Sequence, residues 1–444
     1  MKVPKRPLNW RKIVENSVSE PAMLMKIMSS VNGSMVDGKY LHWDDLRHRT
    51  PPDGLTHDQW WCGLKFARMS QRKGVALRDK DGSGFSFVLA DILAEALPDL
   101  DSSAKGMVGS SEAIVNSELK SFYLVRSLME EAITSSQLEG AATTREVAKE
   151  MIRQGRPPSD QSERMILNNY RTMLRILEIK DEPLSPQLLF EIHRLITEGT
   201  LEDPSAAGRL RTDAEYKIVG DEFGEIYHEP PSATELAARV DAMCEFANAK
   251  TPVGFVHPAI RSMILHFWLA YDHPFIDGNG RTARALFYWS MLRNGYWLFE
   301  YVSVSRIILK GPHQYGRAFL LTETDENDLT YFLVYHIEVV RRSIQDLYRF
   351  LEDRTARLRA LEKDLKGMES LNHRQRALVG HALRHPGHAY TNESHQNSHN
   401  VVYETSRTDL LDLVRRKLLI KKQRGKGFTF HPSPDIEARL RSEA

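Results

Sequence analysis

Apolar positions recur at helical spacing through the middle of the chain, from about Glu112 to Val340, and the clearest stretch runs from His257 to Tyr271. Ile260, Met263, Ile264, Phe267, Trp268 and Tyr271 fall at i, i+3, i+4, i+7, i+8 and i+11, one apolar stripe along a helix. Pro258 suits its first turn. A second helix is predicted from about Arg281 to Arg293, with Ala283, Leu286, Phe287, Ser290 and Met291 on one face and Gly295 as its stop. Upstream, Phe122, Val125, Met129, Ala132 and Ile133 mark the predicted buried face of a third helix, which Glu139 continues seven residues after Ala132. Residues 213–228, DAEYKIVGDEFGEIYH, break the helical period with two short extended runs around Asp221 to Gly224, the pattern of a β-hairpin.

These patterns divide the chain. Residues 1–105 hold four of the seven tryptophans, Trp10, Trp43, Trp60 and Trp61, between turn-rich stretches, and read as a small separate unit with the tryptophans in its core. Residues 106–340 form a helical core, 341–370 a charged helical linker, and 371–444 a last unit. In that unit Leu371–Arg384 and Thr405–Leu418 read as helices, and Leu419–His431 as a hairpin about Arg424-Gly425-Lys426-Gly427. At 444 residues the chain is about three times a typical domain, which agrees with two or three folded units.

An apolar fraction of 41% with 27% charge is that of an ordinary globular protein. The net charge of +1 excludes a global field that would draw the protein onto nucleic acid or an anionic membrane, so any such binding needs a local patch. Cys62 and Cys244 match neither a disulfide framework nor a zinc spacing. The basic N-terminus lacks the apolar stretch of a signal peptide, and no run of about 18 apolar residues occurs. The expectation is a soluble, cytoplasmic protein with no membrane partner.

Between the two clearest helices lies His273-Pro274-Phe275-Ile276-Asp277-Gly278-Asn279-Gly280-Arg281-Thr282-Ala283-Arg284. Gly278, Asn279 and Gly280 readily take unusual backbone angles, so consecutive N–H groups can converge on an anion. The helix that follows adds its unsatisfied N–H groups and the positive end of its dipole. Arg281 and Arg284, three apart, project from one side of the first turn and suit phosphate oxygens. Asp277 offers a hard oxygen to Mg²⁺ held jointly with phosphates. His273 can accept a proton from a hydroxyl near neutral pH. A surface turn would explain Asp-Gly or Asn-Gly alone; it does not explain nine specified positions at fixed spacing between two amphipathic helices.

The segment resembles the signature of Fic domains, HPFxDGNGRxxR, with every specified position filled. The resemblance extends over roughly residues 110–340 and implies a mainly α, Fic-type helical core with a β-hairpin flap at 213–228 and a catalytic loop at 273–284. It implies a protein adenylyltransferase that moves AMP from ATP to a Ser, Thr or Tyr hydroxyl of a target protein or of itself. His273 is then the general base, Asp277 the ligand of Mg²⁺ or Mn²⁺, and Gly278, Asn279, Gly280 and Arg281 the phosphate cradle. Arg284 contacts the terminal phosphate, and Tyr216, Lys217, Ile218 and Val219 belong to the flap that docks the target by backbone pairing. Gly208 and Arg211 resemble the lead-in to that flap.

Ser135-Ser136-Gln137-Leu138-Glu139-Gly140 resembles the family's inhibitory motif, [S/T]xxxE[G/N], at the end of a helix spanning about 111–140. By that resemblance Ser135, Glu139 and Gly140 form an internal brake in which Glu139 pairs with Arg284, and Glu139 could also serve in removing AMP. Read alone, Glu139 could equally be a helix-end charge with Gly140 as its cap.

The region from Leu371 carries thirteen Lys or Arg against seven Asp or Glu. It resembles a winged-helix domain, in which Arg407, Lys421, Lys422, Arg424 and Lys426 are candidate DNA contacts. Glu393–Asn400, ESHQNSHN, departs from the compact apolar second helix of such modules, so DNA binding and a protein-interaction or dimerisation wing both stay open. The seven histidines here fit no metal-ligand spacing. Two alternatives to the adenylyltransferase remain: a DNA-binding regulator with a nucleotide-sensing Fic domain, and a Fic enzyme that transfers another phosphate-containing group.

Overall fold

The structure is a computed structural model that describes residues 2–17, 20–106, 117–215, 218–220, 224–250, 254–368, 370–424 and 427–443. It is mainly helical, and the strands among the described residues form three two-stranded antiparallel sheets. Residues 1–108 and 127–344 make one compact unit, and residues 109–126 with 345–444 make a second. No helix among the described residues is long and apolar enough to cross a membrane.

The centre of the first unit is the helix pair Pro258–Asp272 and Asn279–Arg293. The sequence pattern predicts one apolar stripe on each, yet both are buried nearly all round, from Ala259 to Leu269 except Arg261 and from Arg281 to Leu292. Polar residues on the remaining faces are covered because they find partners: Ser262 and Ser290 bond each other at 2.8 Å, and His266 meets His336 and Tyr315 at 2.8 Å. The helices Gln161–Ile179, Pro186–Thr197, Leu236–Ala247 and Pro312–Thr324 pack against this pair.

Residues 1–105 are not set apart from the helical core; they fold within the same unit. All four of their tryptophans are buried. Lys65, 1% exposed, meets the fully buried Asp325 at 2.6 Å. Arg68 donates to the Tyr331 hydroxyl at 2.9 Å and to the Leu41 carbonyl, and Tyr40 donates to Asp328 at 2.6 Å. A backbone link joins Leu329 N to Ser86 O. Charges removed from water need such partners, and here Lys65 and Arg68 find them 260 and 263 positions away in the chain.

The predicted helical linker at 341–370 is helical as far as Gly367, but it is not a separate element: one helix of 38 residues, Thr330–Gly367, begins eleven residues before it. In the second unit, helices His373–Arg384, Asn392–His399 and Tyr403–Arg415 precede the hairpin Leu419–Arg424 and Gly427–Pro432. The polar ESHQNSHN stretch is helical although it lacks an apolar face. Thr391 and Ser394 form its capping box, and the buried His395 bonds Asp409 at 3.1 Å.

Candidate active site

His273 caps the helix Pro258–Asp272 with a left-handed backbone, φ 46 and ψ 54. For a residue with a Cβ this is uncommon and is held by surrounding contacts. Arg211 supplies them: its Nε donates to the His273 carbonyl at 2.8 Å, its backbone N–H to the Pro274 carbonyl at 2.9 Å, and Nη2 to the Pro231 carbonyl where the flap ends. The His273 ring places Nδ1 3.3 Å from the Ala270 carbonyl. Nδ1 therefore carries the hydrogen, and Nε2 keeps a lone pair. Burial is the main cause that brings its pKa down to about 4, so the ring is neutral at physiological pH, the form a base requires.

The loop is built from inside. Asn279 accepts from Phe275 N at 3.0 Å and donates to Phe275 O at 2.8 Å, closing the loop on itself. Gly278 has φ 79, and a Cβ there would stand 2.7 Å from Thr197 Cγ2, so glycine is required on both counts. The helix starts at Asn279, two residues before the predicted Arg281, because Gly278 serves as its N-cap. Gly280 is thus part of the first turn, and a Cβ there would meet Glu139 Oε1 at 2.1 Å.

Arg281 and Arg284 are both buried, at 1% and 2% side-chain exposure. Arg281 reaches the Ile196 carbonyl and lies 3.6 Å from Asp277, and its buried Nε has no partner among the described residues. Arg284 donates to Ser135 Oγ at 2.8 Å, Ser135 O at 2.9 Å and Glu139 Oε1 at 2.8 Å. The expected pairing of Glu139 with Arg284 is therefore present. Glu139 itself lies one residue beyond its helix, Ser117–Leu138, in a turn completed by Gly140 at φ 91. Val125, read as part of that helix's buried face, is 40% exposed, whereas Met129, Ala132 and Ile133 are buried; the Phe122 side chain lies outside the described residues.

Asp277 points outward, 58% exposed. A single carboxylate beside a helix N-terminus fits Mg²⁺ that would take its other ligands from a bound phosphate and water. Among the described residues no group of three acidic, His or Cys side chains forms a self-sufficient metal cage.

A cavity of about 210 Å³ gathers His273, Gly280, Arg284 and Glu139 with Tyr315 and the flap residues Val219 and His228. The flap pairs Val219 with His228 and Gly220 with Ile226; Ile218 and Val219 are 48% and 36% exposed, while Tyr216 and Lys217 lie outside the described residues. In the second unit, Lys421 and Lys422 are exposed, and Lys421 Nζ stands 3.7 Å from the Phe428 ring centre. Arg407 pairs with Glu404 at 3.4 Å. Lys426 and the Arg424 side chain lie outside the described residues.

Sequence reasoning missed His193. It stacks on Phe275 with ring centres 3.7 Å apart, accepts from Gly208 N at 2.9 Å and places Nε2 2.9 Å from the Asp277 carbonyl. Because Gly208 N–H can only donate, His193 Nδ1 is the acceptor and Nε2 carries the hydrogen. Burial, the largest influence, lowers its pKa to about 4, which keeps this tautomer neutral. The available signal was a histidine set in the apolar run Leu188, Leu189, Ile192 and Ile196.

The Fic/DOC family model matches residues 183–291. A protein named Protein adenylyltransferase Fic from Nematostella vectensis is 27% identical over 165 residues, 37% of this chain and 34% of that protein. Protein adenylyltransferase fic-1 of Caenorhabditis elegans is 31% identical over 121 residues, 27% of this chain and 22% of that protein. The chain thus spans about a third or less of these curated relatives. A Fic family protein from Desulfovibrio desulfuricans matches in fold with a TM-score of 0.52 at 16% identity, over 78% of this chain and 98% of that one.

Proposed function

We propose, given that residues 183–291 of this chain match the Fic/DOC family model, that it is a protein adenylyltransferase acting on a Ser, Thr or Tyr hydroxyl. The observation that carries this reading is the neutral His273 with a free Nε2 lone pair, in one cavity with the buried guanidinium of Arg284 and the start of the helix Asn279–Arg293. His273 takes the hydroxyl proton, the oxygen attacks the α-phosphorus of ATP, and the bond to pyrophosphate breaks. Arg281, Arg284 and the helix N-terminus hold phosphate oxygens, so positioning and fixed charge do most of the work. Asp277 would hold Mg²⁺ or Mn²⁺, which would neutralise charge on the departing pyrophosphate.

Glu139 occupies the guanidinium that the terminal phosphate needs and stands against Gly280 in the first turn. In this reading it is a brake, because ATP must displace a carboxylate to seat its phosphates. Labelled ATP and intact mass test the proposal together. α-Phosphate label and the mass of AMP should both appear on protein; the mass of phosphate alone would favour a Fic enzyme that transfers another group.

For the second unit, three helices followed by a hairpin that exposes Lys421 and Lys422 favour a DNA-contacting role. Salt-dependent retention on duplex DNA supports that role, and its absence in wild type removes it.

A further inference from the structure

Among the described residues the flap pairs Val219 with His228 and Gly220 with Ile226, and a two-stranded ribbon of that size is marginal by itself in water. Ile218 and Ile226 are 48% and 49% exposed, so these side chains bury little apolar surface to hold it. His228 is different. Its side chain is 9% exposed, Nδ1 lies 2.8 Å from Glu323 Oε2 on the helix Pro312–Thr324, and Nε2 lies 2.6 Å from the Tyr271 carbonyl. Its ring also packs against the Tyr271 ring, with centres 4.6 Å apart. Tyr271 precedes His273 by two residues, so the flap strand Ile226–His228 is tied to the backbone that positions the base.

Both partners of His228 are acceptors. A carbonyl never donates, and Glu323 as a carboxylate does not either, so both ring nitrogens must carry hydrogen. That is the imidazolium, whose charge-assisted hydrogen bonds are roughly twice as strong as neutral ones. The titratable groups that face it are Glu323 from one helix, Asp272 and the neutral His273 from the end of another, and Glu229 beside it, which pairs with Lys80. Asp272 is already bonded by Arg239 and Trp268. We propose that His228, doubly protonated and paired with Glu323, is a positioning residue that latches the flap strand at the pocket and so sets how firmly a target segment is held. The target-holding part rests on the proposed function; the latch does not.

Burial alone pulls the His228 pKa down, but the Glu323 charge and hydrogen bond, the Tyr271 carbonyl and Asp272 together hold it above the ordinary value of 6.5. The latch is therefore complete below about 6.5 and is lost as pH rises through the higher folded value. One of the two hydrogen bonds then disappears and Glu323, 19% exposed, is left without its counter-ion.

Amide hydrogen exchange of the full-length protein, without ATP or target and corrected for intrinsic rates, tests this at Val219, Gly220, Ile226 and His228. Protection in wild type should fall roughly tenfold between pH 6 and pH 9, the scale of one lost hydrogen bond to a charged group. Glu323→Gln should move the midpoint of that fall to lower pH, and His228→Phe should lack the protection at both ends. In transfer assays the same variants should raise KM for target more than they lower kcat. Protection in wild type that is independent of pH, or a Glu323→Gln midpoint equal to wild type, overturns the latch. If His228→Phe also loses protection in the helix Pro258–Asp272 it has unfolded, and the Glu323→Gln midpoint decides. Label transfer failing while the exchange pattern holds would instead refute the proposed function.

Discussion

The loop at 273–284 and the C-terminal hairpin both gather positive charge, and they do so in opposite ways. Arg281 and Arg284 are buried, with guanidinium hydrogens directed to the Ile196 and Ser135 carbonyls and to Glu139. Lys421 and Lys422 stand in solvent on a strand, and Arg407 pairs with Glu404 one turn away. A buried, oriented cation recognises an anion of one shape in one place, because packing fixes the direction of its donors. An exposed lysine contributes to a field that salt screens, with little demand on geometry. The first arrangement suits chemistry at one phosphorus atom, and the second suits attraction to a polyanion.

The largest effect is expected at the oriented site. His273→Ala should lower label transfer by about 10²–10⁴-fold while ATP still binds, since general-base catalysis carries roughly that factor. Because burial holds the His273 pKa near 4, the acid limb of the wild-type rate profile should fall as pH drops through about 4, well below 6.5. Unchanged turnover in the variant, or an acid limb at 6.5, contradicts the assigned role.

Buried and exposed charge should differ in stability as well. Asp325→Ala leaves Lys65 buried without its main partner and should cost about 3–5 kcal/mol in chemical denaturation, whereas Glu404→Ala at the surface pair should cost under about 1 kcal/mol. Equal losses would remove the distinction. Glu139→Gly frees Arg284 and should raise net modification by up to about a hundredfold, the scale of relieving a misplacement of about an ångström. Equal label incorporation and equal release of AMP from premodified target, in wild type and variant, would make Glu139 an ordinary helix-end charge. The smallest effect belongs to the hairpin: Lys421→Ala with Lys422→Ala should flatten the salt dependence of DNA retention by about 0.9 in log–log slope for each phosphate no longer neutralised.

Much of the site is legible in the sequence because its parts are local. His273 to Arg284 is one continuous segment, and each residue type there carries its chemistry wherever the segment folds. The helix start at Asn279 is harder to read, since the N-cap is a glycine in a left-handed conformation and the usual Ser, Thr or Asp signal is absent. The C-terminal helix Asn392–His399 is obscured for a related reason: a capping box and one buried histidine hold it where no apolar stripe announces it.

The helical pair, the loop between them and the residues that could hold phosphate and take a proton all follow from the order of amino acids alone. Which carbonyls, carboxylates and rings those residues meet was settled by the packing of the whole fold. Arg211 reaches His273 across 62 positions, His193 reaches Asp277 across 84, and Glu139 reaches Arg284 across 145. Lys65 finds Asp325 across 260, which is why residues 1–105 belong with the core and not apart from it. The physical reason is common to all four. A periodic pattern records which face of an element leaves water, whereas the partner of a buried polar group is fixed by where distant elements pack, and that information is not stored beside the residue.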